Sequence, residues 1–162
     1  AAIAADTVRE VKHKVHVPTF VKLSSLVSNI TEISRAVVEA GADAITAINT
    51  VRAMAIDIET ARPILANKIG GLSGTAIKPI AVRCVYEIYK AVDIPIIGCG
   101  GVITWHDAVE FMLAGASAVQ IGTGIAYENL SIFKSIKEGI ESYLERKGFR
   151  SVKDIVGLSH QS

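Results

Sequence analysis

The amino-acid sequence predicts an α/β fold built on a parallel β-sheet, and three observations lead to this prediction. The chain has 162 residues, which is enough for one domain with its own core. Half of the residues are hydrophobic but only 6% are aromatic, so the core is mainly aliphatic, as is typical of parallel strands covered by helices. Segments with strand and helix patterns alternate along the chain, as in consecutive βα units.

Apolar periodicity predicts where these strands and helices lie. The strands are expected at 17–23, 43–49, 94–98 and 117–122, and the main helices at 4–14, 28–41, 75–92, 104–115 and 129–147. Thr104 and Asp107 have the spacing of a capping box, which marks the start of the fourth helix. The segment between the second strand and the third helix, residues 50–74, shows no strong pattern and is expected to form a long loop.

An internal repeat narrows the fold class. EAGADAIT (39–46) is similar to LAGASAVQ (113–120), and HVPTFVKL (16–23) is similar to DIPIIGCG (93–100). Such repetition is typical of the (β/α)8 TIM-barrel family, in which a whole barrel takes about 250 residues. We therefore expect residues 1–162 to form about the last four βα units, a half-barrel with two open strand edges that the rest of a longer chain or another chain completes. An open flavodoxin-like sheet is the alternative.

Composition argues against several function classes. The net charge is +1 without a basic patch, so no nucleic-acid partner is expected, and no apolar run is long enough to cross a membrane. No secretory leader is expected at the N-terminus. The two cysteines, Cys84 and Cys99, are expected to be small buried residues in a reduced, cytoplasmic protein, and the four histidines have no metal-ligand spacing.

Glycines follow the last two predicted strands. In IPIIGCGGV (94–102) a strand ends in three glycines within four positions, and the fourth strand ends in Gly122 and Thr123. Because both strands run towards a helix N-terminus, Gly100, Gly101, Gly122 and Thr123 are predicted to bind phosphate through their backbone N–H groups. Barrels often bind phosphate after strands seven and eight. Tight turning alone is the alternative, and for Gly98 the two explanations are equally good.

Polar residues at the first two strand ends indicate the rest of the site. Lys22 lies within the apolar run FVKLS and shares a strand face with Phe20. A strand lysine is usually exposed, but in a buried strand it needs an anionic partner, so a bound cofactor or substrate is expected beside Lys22. Asn49 and Thr50 follow the second strand and offer donors and acceptors that suit amide and carboxylate groups.

Five segments in order resemble the C-terminal half of class 1B dihydroorotate dehydrogenase, the catalytic subunit of the NAD-linked enzyme. They are VKLS, AGADAITAINT, PILANKIGGLSGTAIKP, IPIIGCGGV and AGASAVQIGT. The resemblance covers the chain from about residue 16 to the tail, and GGLSG followed by AIKP is its most specific part. At Thr75 the family commonly has proline, which changes a helix start rather than a ligand. Other phosphate-binding barrel families do not explain GGLSG together with VKLS and INT.

The resemblance implies FMN at the mouth of a barrel and the oxidation of dihydroorotate to orotate in pyrimidine biosynthesis. It implies that Asn49 and Thr50 bind orotate or dihydroorotate, and that Lys22 stabilises negative charge on the reduced flavin. The residues it assigns to FMN are Lys22, Ile48, Gly74, Gly100, Gly101, Gly122 and Thr123.

The resemblance also implies what this chain lacks and what it binds. The family's catalytic base is a cysteine in the N-terminal half, which neither Cys84 nor Cys99 matches, so no catalytic residue and no metal ligand are expected here. The implied partners are the N-terminal half of the barrel, a second copy in a homodimer, and an electron-transfer subunit with FAD and an iron–sulfur cluster. A non-catalytic half-barrel or assembly module that binds FMN or phosphate remains the alternative.

Overall fold

A computed structural model describes residues 1–161 of the chain. Its strands are β1 (Phe20–Leu23), β2 (Ala44–Ala47), β3 (Val51–Ala53), β4 (Ile56–Asp57), β5 (Arg62–Pro63), β6 (Gly70–Leu72), β7 (Ile96–Cys99) and β8 (Ala118–Gln120). Its α-helices are α1 (Ala2–Lys14), α2 (Ile30–Glu39), α3 (Lys78–Tyr89), α4 (Trp105–Leu113), α5 (Gly124–Glu128) and α6 (Ser131–Lys147). Short 3-10 turns lie at Thr75–Ile77, Val152–Asp154 and Leu158–His160.

A four-stranded parallel sheet in the order β1-β2-β7-β8 confirms the α/β prediction. Each strand pairs with the one that precedes it in the alternating pattern, so the strand order never reverses. The helices α1, α2, α3, α4 and α6 contact one another in succession, which places them in one layer. A doubly wound sheet has a reversal point and helices on both faces. Residues 1–161 show no such reversal, which argues against a flavodoxin-like sheet.

The two faces of this sheet have different surroundings. On the helix-facing side, Leu23, Ile45 and Ile96 are almost completely buried. On the other side, which we call the open face, Phe20 is 56% exposed and Lys22 is exposed. Burial of β1 was expected in a complete barrel, which residues 1–161 do not test. In this part of the chain β1 is an edge strand, and nothing covers its open-face side chains.

The predicted long loop at 50–74 is also wrong, because this segment contains two antiparallel strand pairs. Strand β3 pairs with β6, and β4 pairs with β5. These strands are two or three residues long, too short for an alternating pattern to be recognised. The other boundaries differ by a few residues, and α5 precedes α6 as a separate short helix that the sequence pattern did not predict.

Helix α4 is attached to the sheet through Gly98. A Cβ atom at Gly98 would lie 2.5 Å from Cδ1 of Phe111, whose side chain is fully buried. Gly98 therefore provides room for the aromatic ring, a packing role that differs from both explanations expected for this residue, phosphate binding and tight turning. Among the described residues, none of the helices is both long and apolar enough to cross a membrane.

Candidate functional site

One cavity brings together all the residues predicted to bind cofactor or substrate. It has a volume of about 240 Å³ and lies at the carboxyl ends of the parallel strands, the edge at which barrel active sites occur. The predicted residues in its lining are Lys22, Ile48, Asn49, Thr50, Gly74, Gly100, Gly101, Gly122 and Thr123. Segments separated by about a hundred residues in the sequence thus converge on one site.

The Gly100–Gly101 turn requires glycine for its backbone conformation. Gly100 has φ +136° and Gly101 has φ +78°, a region that side chains disfavour. A Cβ at Gly101 would also lie 2.8 Å from the carbonyl oxygen of Gly74. Tight turning therefore accounts for the glycines at these two positions, and their use in ligand binding depends on the groups that the turn presents.

Those groups are backbone N–H donors. Within residues 1–161, the N–H groups of Gly100, Gly101, Gly122 and Thr123 donate to no backbone or side-chain acceptor. A Cβ at Gly122 would meet no atom within 4 Å, so the backbone there borders open space in the cavity. Thr123 Oγ1 is 2.7 Å from Ser73 Oγ, which adds two hydroxyl groups. Convergent donors of this kind suit an anion with several acceptor oxygens, such as a phosphate.

The expected contribution of the α4 dipole is already used within the chain. The Asp107 carboxylate accepts hydrogen bonds from the N–H groups of Ile103 and Thr104, at 3.0 and 2.8 Å, and completes the predicted capping box. This carboxylate therefore satisfies the N–H groups that precede α4 and offsets the positive end of the helix dipole. An anion in the cavity would depend on the glycine N–H groups instead.

Asp107 also joins two loops that border the cavity. Its Oδ1 is 2.7 Å from Nζ of Lys78, which begins α3 just after Gly74, and Glu110 lies 2.8 Å from the same ammonium. Burial would raise the pKa of Asp107, but the Lys78 ammonium and the N–H groups of Thr104 and Ile103 outweigh it and hold this pKa below its ordinary value. The pKa of Lys78 is raised by Asp107 and Glu110.

The Lys22 ammonium lies over the open face among neutral groups. Its Nζ is 3.3 Å from Cys99 Sγ and 3.5 Å from Gln120 Oε1. Cys99 is only half-buried, so the expectation of a buried small residue is wrong for Cys99, whereas Cys84 is fully buried in α3. Burial raises the pKa of the Cys84 thiol, which keeps it protonated and unsuited to act as a base.

Asn49 and Thr50 follow β2 and line the cavity beside the end of β1. Asn49 Oδ1 accepts the N–H of Thr50 at 2.9 Å, which leaves the Asn49 amide nitrogen with two donors for a ligand. The Thr50 side chain packs so closely on Gly71 that a Cβ at Gly71 would overlap it. Gly71, in the segment GGLSG, therefore fixes the position of Thr50.

Sequence reasoning did not select every residue of this cavity. The additional lining residues are Ser73, Ile77, Cys99, Val102 and Gly124. Ser73 and Gly124 lie in the glycine-containing segments expected at the strand ends, so their position in the sequence was a signal, although neither was assigned to a ligand. Ile77 and Val102 are apolar and nearly fully buried, and nothing in their sequence context distinguishes them from core residues.

Comparisons with known proteins identify the family of this chain. Residues 1–144 match the family model described as dihydroorotate dehydrogenase. The chain is 55% identical over 151 residues to "Dihydroorotate dehydrogenase B (NAD(+)), catalytic subunit" of Methanosarcina acetivorans, which covers 93% of this chain and 48% of the relative. The protein of the same name from Pyrococcus abyssi is 53% identical over 154 residues, 95% of this chain and 52% of the relative. The chain spans about half the length of the curated relatives it matches.

Proposed function

Because this chain belongs to the dihydroorotate dehydrogenase family, we propose that it is the C-terminal half of an FMN-binding (β/α)8 barrel that oxidises dihydroorotate to orotate in pyrimidine biosynthesis. Residues 1–162 supply the flavin-phosphate site and part of the substrate site, and the N-terminal half closes the barrel. The observation that carries this proposal is the convergence of nine predicted cofactor and substrate residues on a single cavity.

The residues present fit the phosphate group of FMN. The unpaired N–H groups of Gly100, Gly101, Gly122 and Thr123 supply several donors to one anion. The open space beside Gly122 lets phosphate oxygens approach the backbone without meeting a side chain. Bound FMN would supply the acceptor for the hydride that leaves dihydroorotate.

The remaining cavity residues bind and orient the substrate and the flavin ring. Lys22 holds a positive charge at the cavity, where it attracts an anionic edge of a bound group. Asn49 presents its amide nitrogen, and Thr50 its hydroxyl, to the carbonyl and carboxylate groups of the substrate ring. Ile48 is 1% exposed and adds an apolar wall against a flat aromatic ring.

The proton that leaves dihydroorotate needs a base from outside this chain. Cys84 is buried on the helix side of the sheet, and Cys99 contacts the Lys22 ammonium and has no adjacent base among the described residues. We place the base in the N-terminal half, together with the remaining flavin contacts. The relatives are named catalytic subunits, which supports a second subunit. We propose that this second subunit transfers electrons through FAD and an iron–sulfur cluster. A homodimer and a cytoplasmic location complete the proposal.

The test uses this chain together with the N-terminal half as one purified protein. The protein should retain about one FMN per barrel, and anaerobic addition of dihydroorotate should bleach the visible flavin absorbance. Lys22→Ala should slow this bleaching by about 100-fold, the loss that follows removal of one preorganised electrostatic group. Lys134→Ala is the matched control, because Lys134 is an exposed lysine of α6 outside the cavity.

Three outcomes separate the alternatives. Retained FMN that dihydroorotate does not bleach would favour the non-catalytic FMN-binding module. Failure to retain FMN would refute the flavin-phosphate site. Bleaching at the same rate in Lys22→Ala as in Lys134→Ala would refute the role of Lys22 while leaving the activity in place.

A further inference from the structure

The Lys22 side chain needs something to hold its ammonium at the cavity. Lys22 lies on an edge strand, and its exposed side chain has many rotamers that point elsewhere. Fixing a lysine side chain costs conformational entropy, so a defined position requires specific partners. Its partners here come from the two strands farthest from β1 in the sheet, since Cys99 ends β7 and Gln120 ends β8.

Cys99 and Gln120 lie next to each other at the carboxyl ends of β7 and β8. Their Cα atoms are register partners in the β7–β8 ladder, so their side chains stand side by side on the open face. The amide oxygen of Gln120 is by type the better acceptor, but at 3.5 Å from Nζ it makes a long contact, and the sulfur of Cys99 is a weak acceptor at 3.3 Å. Together they hold the ammonium over the sheet.

The chemistry of these partners differs from that of an ion pair. Within residues 1–161, Lys22 has no carboxylate within ion-pair distance, whereas Lys12 has one and Lys78 has two. A neutral amide can orient an ammonium group without cancelling its charge. The positive charge therefore remains available to an anionic group in the cavity.

We propose that Gln120 is a positioning residue that, with Cys99, directs the uncancelled Lys22 charge towards the bound flavin. This inference rests on the proposed function. It assigns a role to a residue outside the cavity lining, on the last strand of the sheet. A merely structural role for Gln120 would affect folding but not the electronic properties of the flavin.

The test measures the midpoint potential of bound FMN and the rate of its reduction by dihydroorotate in the complete barrel. Gln120→Glu keeps the side-chain shape and adds a charge that pairs with Lys22, so the potential should become more negative. Gln120→Met removes the acceptor and should slow flavin reduction about tenfold, the loss expected for one hydrogen bond to a charged group. Gln161→Glu adds the same charge near the C-terminus and serves as the control, which should leave the potential unchanged.

The outcomes distinguish this inference from the function on which it rests. If Lys22→Ala makes the potential more negative but neither Gln120 variant changes it, the positioning role is overturned and the proposed function stands. If Lys22→Ala also leaves the potential unchanged, the assigned role of Lys22 fails and the inference fails with it. Loss of FMN from Gln120→Met would also contradict a positioning role. Cys99→Ala removes the weaker acceptor and should shift the midpoint potential of bound FMN in the same direction as Gln120→Glu, but by less.

Discussion

Replacing Asp107 with asparagine should weaken the connection between two loops of the candidate site. The Asp107 carboxylate accepts the N–H groups of Ile103 and Thr104 through Oδ2 and binds the Lys78 ammonium through Oδ1. Asparagine has the same shape but only one acceptor oxygen. Whichever way its amide is oriented, an NH2 group faces either the ammonium or the two N–H donors.

The expected loss follows from the surroundings of this pair. Removing one partner of a fully buried ion pair costs about 3–5 kcal/mol, and a hydrogen bond to a charged group is worth about 1.5–3 kcal/mol. The side chains of Asp107 and Lys78 are 13% and 26% exposed, and Lys78 keeps Glu110 as a second partner. We therefore expect the free energy of unfolding to fall by about 2 kcal/mol, near the lower end of these ranges.

Urea unfolding of the complete protein without FMN is the assay. A loss of about 2 kcal/mol lowers the midpoint by about 1 M urea when the slope is about 2 kcal/mol/M. Glu110→Gln is the matched control, because the Glu110 side chain is 48% exposed and should contribute less than about 1 kcal/mol. An Asp107→Asn midpoint equal to that of the natural protein, or an equal loss in Glu110→Gln, would refute the reasoning.

The pH dependence of this difference has a defined sign. The folded-state pKa of Asp107 lies below its ordinary value of 3.8 because the ammonium and N–H groups outweigh burial. The carboxylate therefore contributes its full stabilisation above the unfolded-state pKa and loses it as the pH falls through the lower folded-state pKa. The gap between the natural protein and Asp107→Asn should be constant near neutral pH and should narrow below about pH 4.

Two glycine substitutions should have opposite effects. Gly122→Ala should leave the urea midpoint of the FMN-free protein unchanged, because its Cβ meets no atom within 4 Å, but should weaken FMN binding about tenfold by filling the space beside the phosphate donors. Titration of the FMN-free protein with FMN tests this, and unchanged affinity would count against the phosphate site. Gly98→Ala should lower stability by about 1–3 kcal/mol, because its Cβ overlaps the ring of buried Phe111. An unaltered unfolding midpoint would contradict this packing.

Sequence periodicity was sufficient for the order of strands and helices. The apolar runs around β1, β2, β7 and β8 and the capping box at Thr104 identified the main elements, because burial and helix capping leave local patterns. The strand pairs within residues 50–74 were missed, since their strands are too short to show a period. The exposure of Phe20 agrees with the expected open strand edge, whereas burial of its strand in a complete barrel is not tested by this part of the chain.

The three glycines of IPIIGCGGV show the same limit within the site. Their spacing indicated an unusual strand end, but it did not separate their roles. Gly98 provides room for Phe111, and Gly100 and Gly101 adopt positive φ. The N–H groups of Gly100 and Gly101 have no acceptor among residues 1–161. Close packing and a positive φ both select glycine, because it has no Cβ. Only the positions of neighbouring atoms show which of the two applies at a given glycine.

By itself, the sequence determined the alternating α/β pattern, the family to which the chain belongs, and the residues at the strand ends. These properties depend on residue type and on spacing along the chain. The tertiary structure decided that Asp107 caps the N-terminus of α4, that Cys99 is half-buried beside Lys22, and that Gln120 also contacts the Lys22 ammonium. Such contacts join residues that lie on different strands and loops, and their distances follow from how the sheet and helices pack, which no local pattern encodes.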